Sequence, residues 1–179
     1  MNILAISGSL RKDSYNSALL QAMKSCSPIE VDITIFDGLA DIPPFNPDIE
    51  ACNEPKVMAL KNLLAESDGL FISSPEYAHG ISGVLKNALD WLVSGEEFVC
   101  MPVAIFNTSP RASHAVRSLH EIIRTMSGNI IDEACITVPL LSSNLTPEGI
   151  LNNNAMSESI RTAINAFLLE TARKNEMAE

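Results

Sequence analysis

The sequence is poor in features that would point to a metal centre or a disulfide-stabilised fold. Its four cysteines, Cys26, Cys52, Cys100 and Cys135, form no C-x-x-C pair, and no cluster of histidines lies near them. The spacing typical of zinc sites and of disulfide frameworks is therefore missing. We expect no bound metal, and reduced thiols buried in or near the core of a cytoplasmic protein.

A long apolar run and an excess of positive charge are also missing. No stretch approaches the ~18 apolar residues that a membrane-spanning helix requires. The N-terminus starts with an apolar strand pattern instead of a basic leader. With 12 Lys and Arg against 22 Asp and Glu, the formal net charge is −10. Nucleic acids and anionic membranes attract basic surfaces, so the sequence predicts a small-molecule partner instead.

Short β-rich runs alternate with helical patterns along the whole chain. The predicted strands are Asn2–Ser7, Val31–Phe36, Gly69–Ser73, Val103–Asn107 and Ile130–Val138. The predicted helices are Ser14–Ser25, Lys56–Ser67, Ser82–Ser94, Ala112–Met126 and Ser157–Arg173. Four prolines make Gly38–Pro55 a loop for most of its length. This order predicts one α/β domain over residues 1–179, with a doubly wound five-stranded parallel sheet and helices on both faces.

The loop after the first predicted strand has the composition of an anion site. In an open parallel sheet, ligands bind outside the carboxyl ends of the strands. This loop opens a helix, whose N-terminus supplies amide donors and partial positive charge. Arg11 adds a guanidinium that can donate two parallel hydrogen bonds. The other hydrogen-bonding side chains are Ser9, Ser14, Asn16 and Ser17. Neither Walker nor dinucleotide glycine spacing is present, so a terminal phosphate monoester, as in FMN, fits best. The structural alternative is that Ser14 or Asn16 only caps the helix.

The loop after the third strand has the composition of a wall for a flat ring. Rigid Pro75 precedes Glu76 and Tyr77, and at Gly80 and Gly83 the backbone can approach a ring closely. Glu76 is either a proton-transfer base or a structural carboxylate. Hydride transfer through a flavin requires no such base, so we assign no catalytic residue.

The loop after the fourth strand also leaves a strand and opens a helix. Thr108, Ser109 and Arg111 are placed to contact the edge of a ring or a second anionic ligand, such as the phosphates of NADPH. The alternative is an ordinary Ser-Pro helix start that leaves Arg111 exposed.

Together these loops resemble the NADPH-dependent FMN reductase family, which includes chromate and quinone reductases and short azoreductases. The matching segments are Gly8–Arg11 with Ser14–Asn16, Pro75–Tyr77 and Gly83–Trp91. The resemblance implies a flavodoxin-like fold and a homodimer or homotetramer, with Gly83–Trp91 helping to build the dimer. It also implies FMN as cofactor and NADPH or NADH as co-substrate. The cofactor-binding residues it implies are Ser9, Arg11, Ser14, Tyr15, Asn16, Ser17, Pro75, Glu76, Tyr77, Ala78, Gly80 and Ser109.

The resemblance further implies an oxidoreductase with ping-pong kinetics. The nicotinamide nucleotide would deliver hydride to the flavin and leave, and a flavin, a quinone or a similar small acceptor would take its place. Two positions depart from the family pattern: Ala78 stands where many members have Asn, and Ser109-Pro110-Arg111 replaces a glycine-rich stretch. The alternative is a non-catalytic electron carrier like flavodoxin. Such carriers typically hold the flavin between aromatic side chains, whereas only 5% of this chain is aromatic.

Overall fold

The structure, a computed structural model, describes residues 1–140 and 146–178, with side chains in the last helix described as far as residue 173. The strands are β1 Asn2–Ser7, β2 Asp32–Phe36, β3 Gly69–Ser73, β4 Pro102–Asn107, β5 Asn129–Ile130 and β6 Ile136–Thr137. The helices are α1 Tyr15–Cys26, α2 Pro55–Ala65, α3 Gly83–Leu92, α4 Ser113–Thr125, α5 Pro147–Asn152 and α6 Asn154–Ala178. Short 3-10 turns lie at Gly38–Asp41, Ala51–Asn53, Glu96–Phe98 and Asp132–Ala134.

The strands form one parallel sheet in the order β2-β1-β3-β4-β5, with β6 pairing further along the same side of β4. The chain runs outward in one direction from β1 to β2, and in the other direction from β3 onward. The order therefore reverses between β1 and β3, where an α/β sheet of this type opens a crevice for ligands. The predicted doubly wound α/β fold is confirmed.

Two apolar clusters cover the two faces of the sheet. One packs Leu4, Leu70 and Ile72 against α2, α3 and α4. The other packs Ile3 and Phe71, with their neighbours, against α1, α5 and α6. Because both faces are covered, the central strands are apolar at almost every position. Among the described residues, no helix is both long and apolar enough to cross a membrane.

The prediction of one continuous fifth strand over Ile130–Val138 is wrong. The structure has two short strands there, β5 and β6, separated by the 3-10 turn at Asp132–Ala134. Asp132 and Glu133 are both exposed, whereas a regular strand would direct neighbouring side chains to opposite faces and bury one of them. Burying an unpaired carboxylate is costly, so the chain turns out of the sheet at this point.

The C-terminal helical region also differs from the prediction of a single helix over Ser157–Arg173. A short helix, α5, comes first, with Thr146 as its N-cap and Pro147 in its first turn. Helix α6 then starts at Asn154 and continues to Ala178. The prediction that Gly38–Pro55 is a loop for most of its length is confirmed, since it contains only two 3-10 turns before α2 begins at Pro55.

The proline-rich loop is fastened to α3 by two side chains of the Gly83–Trp91 segment. The Asn87 side-chain amide donates to the Pro43 carbonyl at 2.9 Å, and its Oδ1 accepts from the Phe45 N–H at 2.7 Å. The indole N–H of Trp91 donates to the same Pro43 carbonyl at 2.8 Å, and Trp91 is 2% exposed. Asn87 and Trp91 therefore hold the proline-rich loop against α3.

Candidate functional site

The loops that follow β1, β3 and β4 meet around a cleft of about 360 Å³ at the carboxyl edge of the sheet. Predicted site residues that line it are Ser9, Arg11, Ser14, Tyr15, Asn16, Pro75, Glu76, Tyr77 and Ser109. Ser74, Asn107, Thr108, Arg111 and Ala112 also line it. Ser17, Ala78 and Gly80 are not among the lining residues. The sheet topology therefore brings together three loops that are far apart in the sequence.

The turn after β1, residues 8–17, is held by short-range hydrogen bonds, and we call it the first turn. The Ser14 hydroxyl caps α1 by accepting from the Ser17 N–H at 3.4 Å. The Ser9 hydroxyl accepts from the Arg11 N–H at 3.3 Å. The Ser17 hydroxyl pairs with the Ser7 hydroxyl at 2.8 Å, which places it behind the turn. The N-cap at Ser14, given above as the structural alternative to an anion site, is thus present. Ser14 also lines the cleft.

Gly8 allows the first turn to lie directly against the loop after β3. Its N–H donates to the Ser73 carbonyl at 2.8 Å. A Cβ atom at this position would lie 2.8 Å from the Ser74 hydroxyl and 3.1 Å from the Ser82 hydroxyl. Only a residue without a side chain fits this approach.

Asn16 joins all three loops. Its Oδ1 accepts from the Ser73 hydroxyl at 2.8 Å and from the Thr108 hydroxyl at 3.4 Å. Ser73 ends β3 and Thr108 follows β4, so this oxygen connects the two neighbouring strand ends to α1. Asn16 is 5% exposed and lines the cleft. Its side-chain amide nitrogen has no acceptor among the described residues, which leaves a donor for a ligand.

Glu76 fastens the loop after β3 to the N-terminus of α4. Its carboxylate accepts from the Ala115 N–H at 2.9 Å, and it lies 3.3 Å from Nδ1 of His79. Helix α4 has no side-chain cap of its own, since its N-cap residue is Ala112. The Ala115 N–H is the main cause that lowers the pKa of Glu76, with further contributions from His114 and His79 against the effect of burial. The carboxylate is therefore ionised at neutral pH and caps α4. This favours a structural role for Glu76 over a role as a proton-transfer base.

The residues after Glu76 form a two-residue hairpin turn. Tyr77 and Gly80 exchange both backbone hydrogen bonds at 3.0 Å. Between them, Ala78 and His79 have φ values of 49° and 61°. Such a turn favours Asn-Gly because both central residues are left-handed. The positive φ angles thus belong to Ala78 and His79. Gly80, whose backbone was expected to approach the ring, follows them in the sequence and does not line the cleft.

The loop after β4 is shaped by the last residue of that strand. The Asn107 Oδ1 accepts from the Ser109 N–H at 3.1 Å, and its amide nitrogen donates to the Ser109 carbonyl at 2.6 Å. The Ser109 hydroxyl accepts from the Arg111 N–H at 3.2 Å. These hydrogen bonds hold the backbone of this loop in place, whereas a glycine-rich stretch would leave it more freedom.

The charge of the cleft is opposite to that of the chain. Arg11 and Arg111 both line it and are both exposed. Neither has an ion-pair partner among the side chains that the structure describes. The carboxylate of Glu76 is the one acidic group among the described lining residues, and it is engaged with α4. Two available guanidiniums in a chain of net charge −10 suit an anionic ligand.

Comparison with known proteins gives one family. The model of the NADPH-dependent FMN reductase family matches residues 1–138. An NAD(P)H-dependent FMN reductase from Pseudomonas aeruginosa is 35% identical over 129 residues, which covers 70% of this chain and 69% of that protein. A 2-hydroxy-1,4-benzoquinone reductase from a Burkholderia species is 37% identical over 91 residues, 51% of this chain and 49% of that protein. The match thus spans about half the length of this second relative.

A solved structure gives the same fold. The flavoenzyme NAD(P)H:(acceptor) oxidoreductase from Paracoccus denitrificans superposes with a TM-score of 0.78, at 21% identity, over 96% of this chain and 97% of that one. The flavodoxin-like fold is thereby confirmed. The family match confirms the predicted enzyme type, an FMN-dependent oxidoreductase that uses NAD(P)H. The chain belongs to the NADPH-dependent FMN reductase family.

Proposed function

We propose that the cleft binds FMN with its phosphate in the first turn, and that the chain passes reducing equivalents from NAD(P)H to a quinone, a flavin or a similar small acceptor. The observation that carries this proposal is the convergence of three strand-end loops on one cleft with two available guanidiniums. Its volume of about 360 Å³ lies within the ~300–1,000 Å³ range usual for small-molecule sites.

The donors of the first turn fit a phosphate monoester. The Ser9 hydroxyl, the Asn16 amide nitrogen and the Arg11 guanidinium all belong to residues that line the cleft. They lie next to the N-terminus of α1, which begins at Tyr15. The first residues of this helix include no acidic side chain. Neutral donors, one cation and a helix N-terminus together favour a doubly charged ligand.

We expect the ring to lie between two groups of the other lining residues, which form its walls. Pro75, Glu76 and Tyr77 belong to the loop after β3, and Ser109 and Ala112 to the loop after β4. The Glu76 carboxylate connects these walls through the Ala115 N–H, so it sets their separation. When bound, FMN supplies the hydride-accepting and hydride-donating chemistry, while the protein orients the reactants and limits access of water.

Ping-pong kinetics are supported by the open rim of this cleft. Tyr77 is 57% exposed beside Ala78 and His79, which are exposed as well. A rim that is open on this side can receive the nicotinamide nucleotide and then the acceptor in the same place. Double-reciprocal plots at several acceptor concentrations should give parallel lines; intersecting lines would contradict this order.

Self-association as a homodimer or homotetramer is part of the same proposal. Phe45 and Ile49 on the proline-rich loop are 42% and 38% exposed, and Asn87 and Trp91 hold that loop in place. Fixed, exposed apolar side chains suit a permanent interface. Light scattering coupled to size-exclusion chromatography measures the mass directly, and a monomer at micromolar concentration would argue against an oligomer.

The proposed site is tested by flavin binding and reduction. Purified protein loaded with FMN should have a flavin absorption spectrum that bleaches when NADPH is added. Arg11→Ala should weaken FMN binding by roughly 10- to 100-fold, since it removes a charged hydrogen-bond donor. Lys24→Ala is the matched control, because it removes the same charge from an exposed residue near the other end of α1 that does not line the cleft. Equal losses in the two variants would mean that only net charge matters and that the first turn does not hold the phosphate.

A further inference from the structure

A group of potential metal ligands lies outside the cleft, where the predicted fifth strand is interrupted. His120 in α4 and Asp132 and Cys135 around the 3-10 turn offer a ring nitrogen, a carboxylate oxygen and a thiol sulfur. These three atoms all lie within 4.8 Å of one another. None of the three residues lines the cleft, so the group is independent of the proposed flavin site.

The interruption of the sheet edge creates this group. A 3-10 turn has three residues per turn, so side chains at positions i and i+3 lie on the same side of it. Asp132 starts the turn and Cys135 is three residues later. His120 comes from α4, which packs beside β5, and its Nδ1 is 3.9 Å from the Asp132 carboxylate. A regular strand would have placed Asp132 and Cys135 on opposite faces.

We propose that His120, Asp132 and Cys135 bind one Zn²⁺ ion through three protein ligands, with a fourth coordination position open. Imidazole, carboxylate and thiolate are the ligands that zinc prefers. The single oxygen ligand makes the group a poor site for Mg²⁺ or Ca²⁺, which favour oxygen ligands.

The dimensions of the group are close to those of a zinc site. With metal–ligand bonds of about 2.0–2.3 Å in a tetrahedron, neighbouring ligand atoms lie roughly 3.3–3.8 Å apart. The observed 3.9 Å and the upper limit of 4.8 Å therefore require movements of about 1.5 Å or less. The side chain of Asp132 is 67% exposed, so it can make this adjustment, and it leaves a path for the ion from solvent.

One hydrogen bond at Cys135 suits a thiolate ligand. The Ile105 N–H of β4 donates to the Cys135 sulfur at 3.3 Å, in the gap that the interrupted strand leaves in the sheet. Hydrogen bonds of this kind orient the ligands of a metal and tune them. In the metal-free chain, the thiol donates to the Ile131 carbonyl at 3.4 Å. Burial raises the pKa of the Cys135 thiol to about 11, so the ion must displace its proton on binding.

Titration of the full chain with Co²⁺ tests the proposal. Co²⁺ reports thiolate coordination by a ligand-to-metal charge-transfer band, and tetrahedral coordination by d–d bands at longer wavelengths than a flavin absorbs. We expect both bands to saturate at one ion per chain, with and without FMN, and Zn²⁺ to remove them by competition. Absence of the charge-transfer band would overturn the proposal.

Variants separate this site from binding by exposed thiols. His120→Gln and Cys135→Ser should each weaken Zn²⁺ binding by at least about 100-fold in competition with a chelating dye. Cys52→Ser and Cys100→Ser, which change the two exposed cysteines, should leave the Co²⁺ bands intact. Loss of the bands in either control, or their persistence in Cys135→Ser, would assign the ion to another thiol.

A stability measurement keeps the test decisive if Cys135→Ser fails to fold. Zn²⁺ that binds the folded chain should raise its Tm, and the rise should disappear in His120→Gln and shrink in Asp132→Asn. An equal rise in His120→Gln and in the unsubstituted chain would overturn the proposal. Because these measurements do not involve reductase activity, they are independent of the proposed flavin chemistry.

Discussion

The two sides of the cleft are stabilised in different ways. The first turn is held by hydrogen bonds within residues 7–17, and Gly8 and Asn16 also connect it to Ser73 and Thr108. The loop at residues 75–80 depends on a distant helix through Glu76, and it includes two left-handed residues without being glycine-rich. The bonds of the proposed phosphate side do not involve α4. The proposed ring side keeps its shape only while α4 remains in place, so substitutions should affect the two sides differently.

The largest expected effect comes from Asn16, where the two sides meet. Asn16→Ala leaves the Ser73 and Thr108 hydroxyls without their shared acceptor, and these residues are 0% and 6% exposed. We expect the free energy of unfolding to fall by about 2 kcal/mol, as measured by urea denaturation. Asn62→Ala on the exposed face of α2 is the control and should change it by less than ~0.5 kcal/mol.

Asn16→Asp separates the structural role of this residue from ligand binding. The carboxylate still accepts from both hydroxyls, but it removes the amide donor and adds negative charge beside the proposed phosphate. FMN affinity should therefore fall more than it does in Asn16→Ala, relative to the change in stability. A variant that binds FMN as tightly as the unsubstituted chain would separate Asn16 from the phosphate site.

The next effect concerns Glu76 and depends on pH. Folding lowers the pKa of this carboxylate below its ordinary value of 4.5, chiefly through the Ala115 N–H. Its charged form therefore stabilises the folded state above that value, and the stabilisation is lost as pH falls through the lowered pKa. The Tm difference between the unsubstituted chain and Glu76→Gln should stay nearly constant from pH 7 to about pH 5 and narrow as the pH falls below 4.5. Glu121→Gln on the exposed side of α4 should give no comparable trend.

Kinetics distinguish a positioning role for Glu76 from proton transfer. Gln keeps an oxygen that can accept from the Ala115 N–H, whereas Ala does not. We expect Glu76→Ala to lower kcat/KM more than Glu76→Gln does. A general acid or base contributes about 10²- to 10⁴-fold, so equal losses of about 100-fold or more in both variants would assign proton transfer to this residue.

The smallest effect should come from Ala78, and it should be stabilising. Ala78 has a φ of 49°, a conformation that costs a residue with a side chain roughly 1 kcal/mol relative to Gly. Ala78→Gly should raise the free energy of unfolding by about 0.5 kcal/mol, after the larger entropy of Gly in the unfolded chain is subtracted. The same change at exposed Ala59 inside α2 should lower it by about 1 kcal/mol. Loss of stability in both variants would mean that the turn is not strained.

Much of the site could be predicted because its residues follow recognisable strands. Ser9 and Arg11 stand between a buried strand and a helix, and Asn16 lies at the start of that helix; their position and composition together indicate an anion site. Ser74 and Asn107 were missed, although a signal was present: each is a polar residue at or just beyond the end of an apolar strand. The structural role of Glu76 could not be chosen over the catalytic one, because its partner is a backbone N–H 39 residues away. No rule of sequence spacing predicts a hydrogen bond between residues so far apart in the chain.

The fold class, the composition of the three loops and the order of strands and helices as far as α4 could be predicted from local sequence, since each follows from hydrophobic periodicity and turn-forming residues close together in the chain. Three features could be recognised only in the folded chain: the fifth strand is interrupted at Asp132, Glu76 caps α4, and His120 lies beside Asp132 and Cys135. These outcomes depend on what packs against each segment. Burial of a charge, an uncapped helix end and a gap in a sheet become visible only when distant parts of the chain are in contact.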